Sequence, residues 1–191
     1  PVKQNQIIGL LGVVGESHAH HVQQGQHGED GDAGGGQDHQ QLVEEIPNLV
    51  AVKFIAPSFD EIQTFARQDL PLRVFFLEYA YGFGSLVYPE FGYLASITNC
   101  SYPVMGAYYE AGRAGDLETI LKIHKDFPVL YDALFSHCTG ERIDSAYDKL
   151  FLQFAIPEFP ARILPPYQAF PEEQVEAFKS AARENLPHWF A

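Results

Sequence analysis

The pattern of apolar and polar positions divides the chain near residue 42, beyond which short apolar runs alternate with stretches of helical period. "LVAVKFIA", Leu49 to Ala56, holds apolar side chains everywhere except at Lys53 and is bounded by Pro47 and Pro57. A short β-branched run of this kind predicts a strand buried on both faces of a parallel sheet. "SFDE", Ser58 to Glu61, has the Ser-x-x-Glu spacing of a capping box, with Ile62 and Phe65 as the buried stripe, so a helix is expected to start there and stop before Leu70-Pro71. "LRVFFLE", Leu72 to Glu78, and "YLASIT", Tyr93 to Thr98, predict a second and a third strand with a helical or irregular stretch between them. After Pro103, "VMGAYYEAGRAG" predicts a helix ended by Gly115, and Asp116 then caps a longer helix reaching about His137. Two more helices are expected, from about Ile143 to Phe154 and from Pro171 to about Glu184, joined by the extended, Pro-rich "PEFPARILPPY".

Strands alternating with helices imply an α/β fold with a parallel sheet, and the closing run of helices implies a C-terminal helical appendage. The segment before residue 42 differs in kind. Glu16 to Gln41 carries six glycines, six glutamines and five histidines, with only Ala19, Val22 and Ala33 as apolar side chains. Nothing there offsets the entropy of ordering, so residues 1–41 read as a tail, low-complexity and disordered over 16–41, with one short strand at Ile7 to Val14. The expected organisation is this tail, a strand-and-helix unit over 42–138 and the helical appendage over 139–191.

Composition narrows the chemistry. The chain has 191 residues, 46% of them hydrophobic, enough for one domain with a real core. Its formal charge of −13 repels phosphate backbones and anionic lipid, so no nucleic-acid or membrane partner is expected. Cys100 and Cys138 are too few for a disulfide framework and lie in apolar surroundings, which implies buried free thiols and a cytoplasmic protein. Ile7 to Val14 is too short to span a bilayer.

"NLVAVK", then "GYLASITNCSYP", then "YYEAGRAGDL", then "AYDKL" followed by "PEFPARILPPY", stand in an order and spacing that resembles the C-terminal half of the dihydrodipicolinate synthase and N-acetylneuraminate lyase family. The resemblance covers about Leu42 to Ala191. It implies a partial TIM (β/α)8 barrel, about strands 6 to 8, and class I aldolase-type lyase or dehydratase chemistry on a 2-oxo acid such as pyruvate, with no cofactor. It also implies that Lys53 is the catalytic lysine that forms a Schiff base with the substrate. The physical requirement is an amine that is neutral when it attacks. An ordinary lysine, with a pKa of ~10.4, is neutral in only a few of ~10⁴ molecules at pH 7. Bringing that value down by about 3 units takes about 4 kcal/mol of differential destabilisation of the ammonium, which an apolar barrel interior can supply.

The resemblance implies a substrate-binding position for Glu78, expected at the mouth of the barrel, and Ser96 and Asn99, expected on the third strand and at its exit, are candidates to hydrogen-bond a bound oxo acid, the alternative being ordinary strand-end polar residues. Lys149 falls at a position whose role is structural, with a nearby acid as the expected partner. Tyr79 and Tyr81 read as packing residues rather than a replacement acid and base. Other parts of the family pattern have no counterpart. The Gly-Thr-Thr-Gly-type carboxylate-binding motif and the catalytic tyrosine are missing, and "FIAPSFD" follows Lys53 where the family has a short Asp-Ser/Thr-Gly turn. A full barrel takes about 250 residues and eight strands. Three strands leave open edges and an uncovered interior face, so a homo-oligomer or other self-association is expected. The rival reading is a non-catalytic remnant or interaction protein that keeps the fold. His18, His20 and His21 could hold zinc or nickel weakly, but no second ligand cluster accompanies them, and no metal site is assigned.

Overall fold

The structure, a computed structural model, describes residues 35–54 and 58–191. The strand expected at Ile7 to Val14, the histidines at 18, 20 and 21, and most of the 16–41 segment lie outside the described residues. Part of that segment corrects the sequence reading, because helix α1 spans Gly35–Glu45 and takes in residues 35–41, which were expected to lack order. Gln40 and Gln41 donate to Glu44 and Glu45 one turn on, and α1 packs on the next helix, so local pairs and tertiary contact supply what composition does not.

Three short strands, β1 (Ala51–Phe54), β2 (Arg73–Phe76) and β3 (Gly92–Tyr93), form a parallel sheet in the order β1-β2-β3. Helix α2 (Phe59–Arg67) follows β1, and its capping box is formed: the Ser58 hydroxyl accepts from the Glu61 N–H and the Glu61 carboxylate accepts from the Ser58 N–H. Asp69 takes a left-handed φ of 46° in the turn that leads into β2. Helix α3 (Glu78–Val87) fills the stretch between the second and third strands.

Strand β3 is shorter than expected. After Tyr93 only Leu94 continues the pairing, donating to the Phe76 carbonyl, and Ser96–Cys100 winds into a 3₁₀ turn. The turn buries Ile97 and Cys100, three residues apart, the spacing that aligns side chains in a 3₁₀ helix.

Helix α4 (Tyr102–Ala114) ends at Gly115, whose φ of 70° is the left-handed cap that the sequence predicts there. The single long helix expected after Asp116 is two, α5 (Leu117–His124) and α6 (Asp126–His137). Pro128 explains the break, since it lacks an N–H and its ring clashes with the carbonyl four residues back, at His124. Asp116 caps α5 as expected, accepting from the Thr119 N–H. Helices α7 (Asp144–Leu152) and α8 (Glu172–Asn185) close the chain, with the Pro-rich connector between them.

The core lies on one side of the sheet. Val52, Phe54, Val74 and Phe76 pack toward the helices, with Phe54 edge-on to Phe65 of α2 and Phe76 edge-on to Phe91. Among the described residues, no helix is long and apolar enough to cross a membrane.

Candidate functional site

Alternation along β1 sends Lys53 to the face opposite Val52 and Phe54. In the parallel register Lys53 stands beside Phe75, Ala51 beside Arg73, and Phe75 in turn beside Gly92. The face opposite the core therefore carries Ala51, Lys53, Arg73, Phe75 and Gly92. A side chain at position 92 would not fit, because a Cβ there would come within 2.5 Å of the Phe75 ring. Lys53 and Arg73 are both exposed. Neither side chain has a hydrogen-bond or ion-pair partner among the described residues. Among the described residues nothing encloses that face, and Lys53 is open to water there.

Glu78 lies just past the C-terminal end of β2, which stops two residues earlier, and it opens α3 with 6% of its surface exposed. The Tyr131 hydroxyl donates to its carboxylate at 2.5 Å, and the Tyr108 hydroxyl donates to its backbone carbonyl at 2.6 Å. Burial, and then the Glu78 carboxylate, push the Tyr131 and Tyr108 hydroxyls well above the usual phenol range, so both stay protonated and act as donors. Glu78 thus ties α3 to α4 and α6. Its partners were not foreseeable: nothing in the local pattern of α6 separates Tyr131 from an ordinary partly buried aromatic residue.

Ser96 and Asn99 lie on the 3₁₀ turn rather than on a strand. Asn99 accepts from the Tyr102 hydroxyl at 2.9 Å, a local bond across the start of α4. Tyr81 is a packing residue, fully buried, and its hydroxyl donates to the Tyr109 carbonyl. Lys149 finds a different partner from the expected acid: its ammonium donates to the Arg162 carbonyl at 2.5 Å and lies over the Phe159 ring, which fastens the Pro-rich connector to α7. Both cysteines are free and buried. Burial raises the Cys138 thiol to about 11 and the Cys100 thiol well above its usual value, so neither is poised as a thiolate nucleophile. Among the described residues, no group of three or more His, Cys, Asp or Glu side chains could hold a metal ion.

No protein-family model matches the chain, and no curated protein matches it. Solved structures do. A dihydrodipicolinate synthase family protein from Coccidioides immitis superposes with a TM-score of 0.57 at 19% identity, over 80% of this chain and 49% of that one. Dihydrodipicolinate synthase from Bacteroides thetaiotaomicron gives 0.60 at 15% identity, over 77% and 50%. The KD(P)GA of T. tenax gives 0.60 at 15% identity, over 78% and 50%. The fold matches part of a TIM barrel. The chain spans about half the length of each of these structures. At these identities the likeness is one of fold.

His124, which the sequence did not single out, is wedged against Tyr79, Phe83 and Phe127, and its Nε2 is buried without a partner among the described residues. Burial holds its pKa below the ordinary value, while a hydrogen bond with the Tyr79 backbone works weakly the other way. The folded chain therefore keeps the imidazole neutral where the unfolded chain binds a proton. The resulting loss of stability begins as pH falls through the unfolded value of about 6.5 and grows until the folded-state pKa is passed. Urea midpoints at pH 7.5 and pH 5 should fall further for the native chain than for His124→Phe. Equal falls would show that this imidazole contributes no proton linkage.

Proposed function

We propose that this chain carries the lysine-bearing part of a lyase or dehydratase that acts on a 2-oxo acid through a Schiff base on Lys53. The observation that carries the proposal is the place of Lys53, on a parallel strand and on the sheet face turned away from the helices, within a fold that matches part of a TIM-barrel aldolase. In a closed barrel that face lines the interior, and active sites are built at the C-terminal ends of the strands. The names of the similar structures, two of them dihydrodipicolinate synthases or members of that family, agree with lyase chemistry. The chemistry is that of an iminium: the lysine amine adds to the keto carbon, water leaves, and the protonated imine draws electrons from the neighbouring carbon, so that a carbon–carbon bond to it can break or form.

Turnover needs more than the imine. A proton-shuttling hydroxyl and a carboxylate clamp belong to the part of the pattern with no counterpart in this sequence, and Glu78 is committed to Tyr131. Imine formation is therefore expected to outlast turnover. The test is to incubate the chain with pyruvate and borohydride and to weigh it. One reduced pyruvate adduct, lost in Lys53→Ala, is expected, with little or no aldol cleavage. No adduct under conditions that label an intact aldolase of this fold would leave Lys53 a strand-end residue of a scaffold. That outcome would favour the second reading, a non-catalytic interaction protein, whose supporting observation is the exposure of Lys53.

A further inference from the structure

The sheet face that bears Lys53 is apolar on the side where a bound substrate would extend. Phe75, the register neighbour of Lys53 on β2, lies down over Gly92 of β3, where a Cβ would meet the ring at 2.5 and 2.6 Å. A glycine is what leaves the ring that space. Leu94 continues the pairing of β3, its N–H donating to the Phe76 carbonyl. Tyr93 packs on the core, so alternation turns Leu94 to the Lys53 face, where it is 51% exposed. Strands stand about 4.8 Å apart, which puts Leu94 roughly two strand spacings from Lys53 and two residues nearer the C-terminal ends.

The polar groups at those ends are largely taken. A site that reads a polyhydroxylated chain needs free donors and acceptors for its hydroxyls, because a polar group desolvated without a partner is costly. The Glu78 carboxylate accepts from Tyr131, Asn99 accepts from Tyr102, and the Thr98 hydroxyl donates to Tyr93. Of the polar side chains in these two segments, Ser96 is left with a free hydroxyl.

We infer that Phe75 and Leu94 select the substrate, so that the Schiff base on Lys53 forms preferentially with a 2-oxo acid of apolar chain, branched or aromatic, and not with a polyhydroxylated one. With Lys53 as the imine-forming residue, on which this selection depends, the keto carbon bonds to the lysine nitrogen and water leaves. The chain beyond that carbon then runs across the Phe75 ring toward Leu94. Partial removal from water of the three extra carbons of a leucine-like chain corresponds to roughly five- to tenfold in favour of that acid over pyruvate.

The test is reductive trapping of the whole chain with cyanoborohydride, which delivers hydride to the iminium carbon. Separate reactions contain pyruvate, 4-methyl-2-oxopentanoate or a 3-deoxy-2-oxo sugar acid. Labelling at Lys53 is read by peptide mass and divided by that at Lys122 and Lys125, exposed amines of the same chain that report the intrinsic reactivity of each acid. The branched acid should label Lys53 about fivefold or more above pyruvate, and the sugar acid no better than pyruvate. Phe75→Ala and Leu94→Ser should each cut that preference by about threefold or more while keeping the native far-ultraviolet dichroism. Leu164→Ser, at a position 70% exposed on the Pro-rich connector, should leave it unchanged. Equal labelling by pyruvate and the branched acid, a preference for the sugar acid, or a preference that survives both variants would overturn the inference and leave Lys53 an imine-forming lysine. No label at Lys53 with any of the three acids would overturn that reading of Lys53 and the inference with it. Should Phe75→Ala fail to fold, Leu94→Ser, at an exposed position, decides.

Discussion

Gly82→Ala should destabilise the protein by about 2–4 kcal/mol, although alanine in a helix is intrinsically better than glycine by about 1 kcal/mol. A Cβ at position 82 would stand 2.1 Å from the Tyr108 hydroxyl and 3.2 Å from Ile120. Tyr108 is fully buried and its hydroxyl donates to the Glu78 carbonyl, so the ring cannot withdraw without giving up that bond. Overpacking of this kind costs about 1–3 kcal/mol, and a buried polar group left unpaired costs about as much again. The sum outweighs the gain in helix propensity and is a large part of the 5–15 kcal/mol available to an ordinary domain. Urea unfolding followed by circular dichroism checks it. A midpoint at or above the native one would show that α3 and α4 can separate slightly without loss.

Phe127→Ala should cost about 3–5 kcal/mol, the usual range for a buried aromatic residue cut to alanine. Phe127 has no exposed surface and sits where several elements meet: its ring packs on Tyr79 of α3, Tyr108 of α4, His124 of α5 and Trp189 near the C terminus. Its neighbour Asp126 holds the same C-terminal segment, accepting from the Trp189 indole at 2.8 Å and bonding His188 at 2.7 Å. Loss of the ring should therefore unpin the chain end as well as open a cavity, seen as faster proteolysis after residue 186 together with a lower unfolding midpoint. Because Gly82 and Phe127 both bear on Tyr108, the double variant should depart from additivity, whereas distant pairs should add. A fall below about 1 kcal/mol would mean that the surrounding rings collapse into the space.

Local rules carried much of the secondary structure. The capping box at Ser58, the glycine cap at Gly115, the aspartate cap at Asp116 and the apolar runs around Val52 and Val74 are each decided by a few neighbouring residues, and each appears where the sequence puts it. The α5–α6 break was missed, although Pro128, which lacks the N–H a continuous helix needs, stood in the expected span. The helical state of residues 35–41 was not legible, because the polar and glycine-rich sequence there carries no apolar period that marks a helix.

For the candidate site, alternation along one strand was enough to put Lys53 on the face opposite Val52 and Phe54, since side chains on a pleated strand change sides at every residue. Its setting came from elsewhere. Which residue stands beside Lys53, that Glu78 meets Tyr131 across 53 positions, and that Tyr108 reaches the same helix turn across 30 are outcomes of register and helix packing between distant segments. The sequence by itself determined the elements and the face that bears the lysine. Only the tertiary structure decided that Glu78 is buried and committed and that Lys53 is open to water, because burial depends on which segments come together and not on the residues next door.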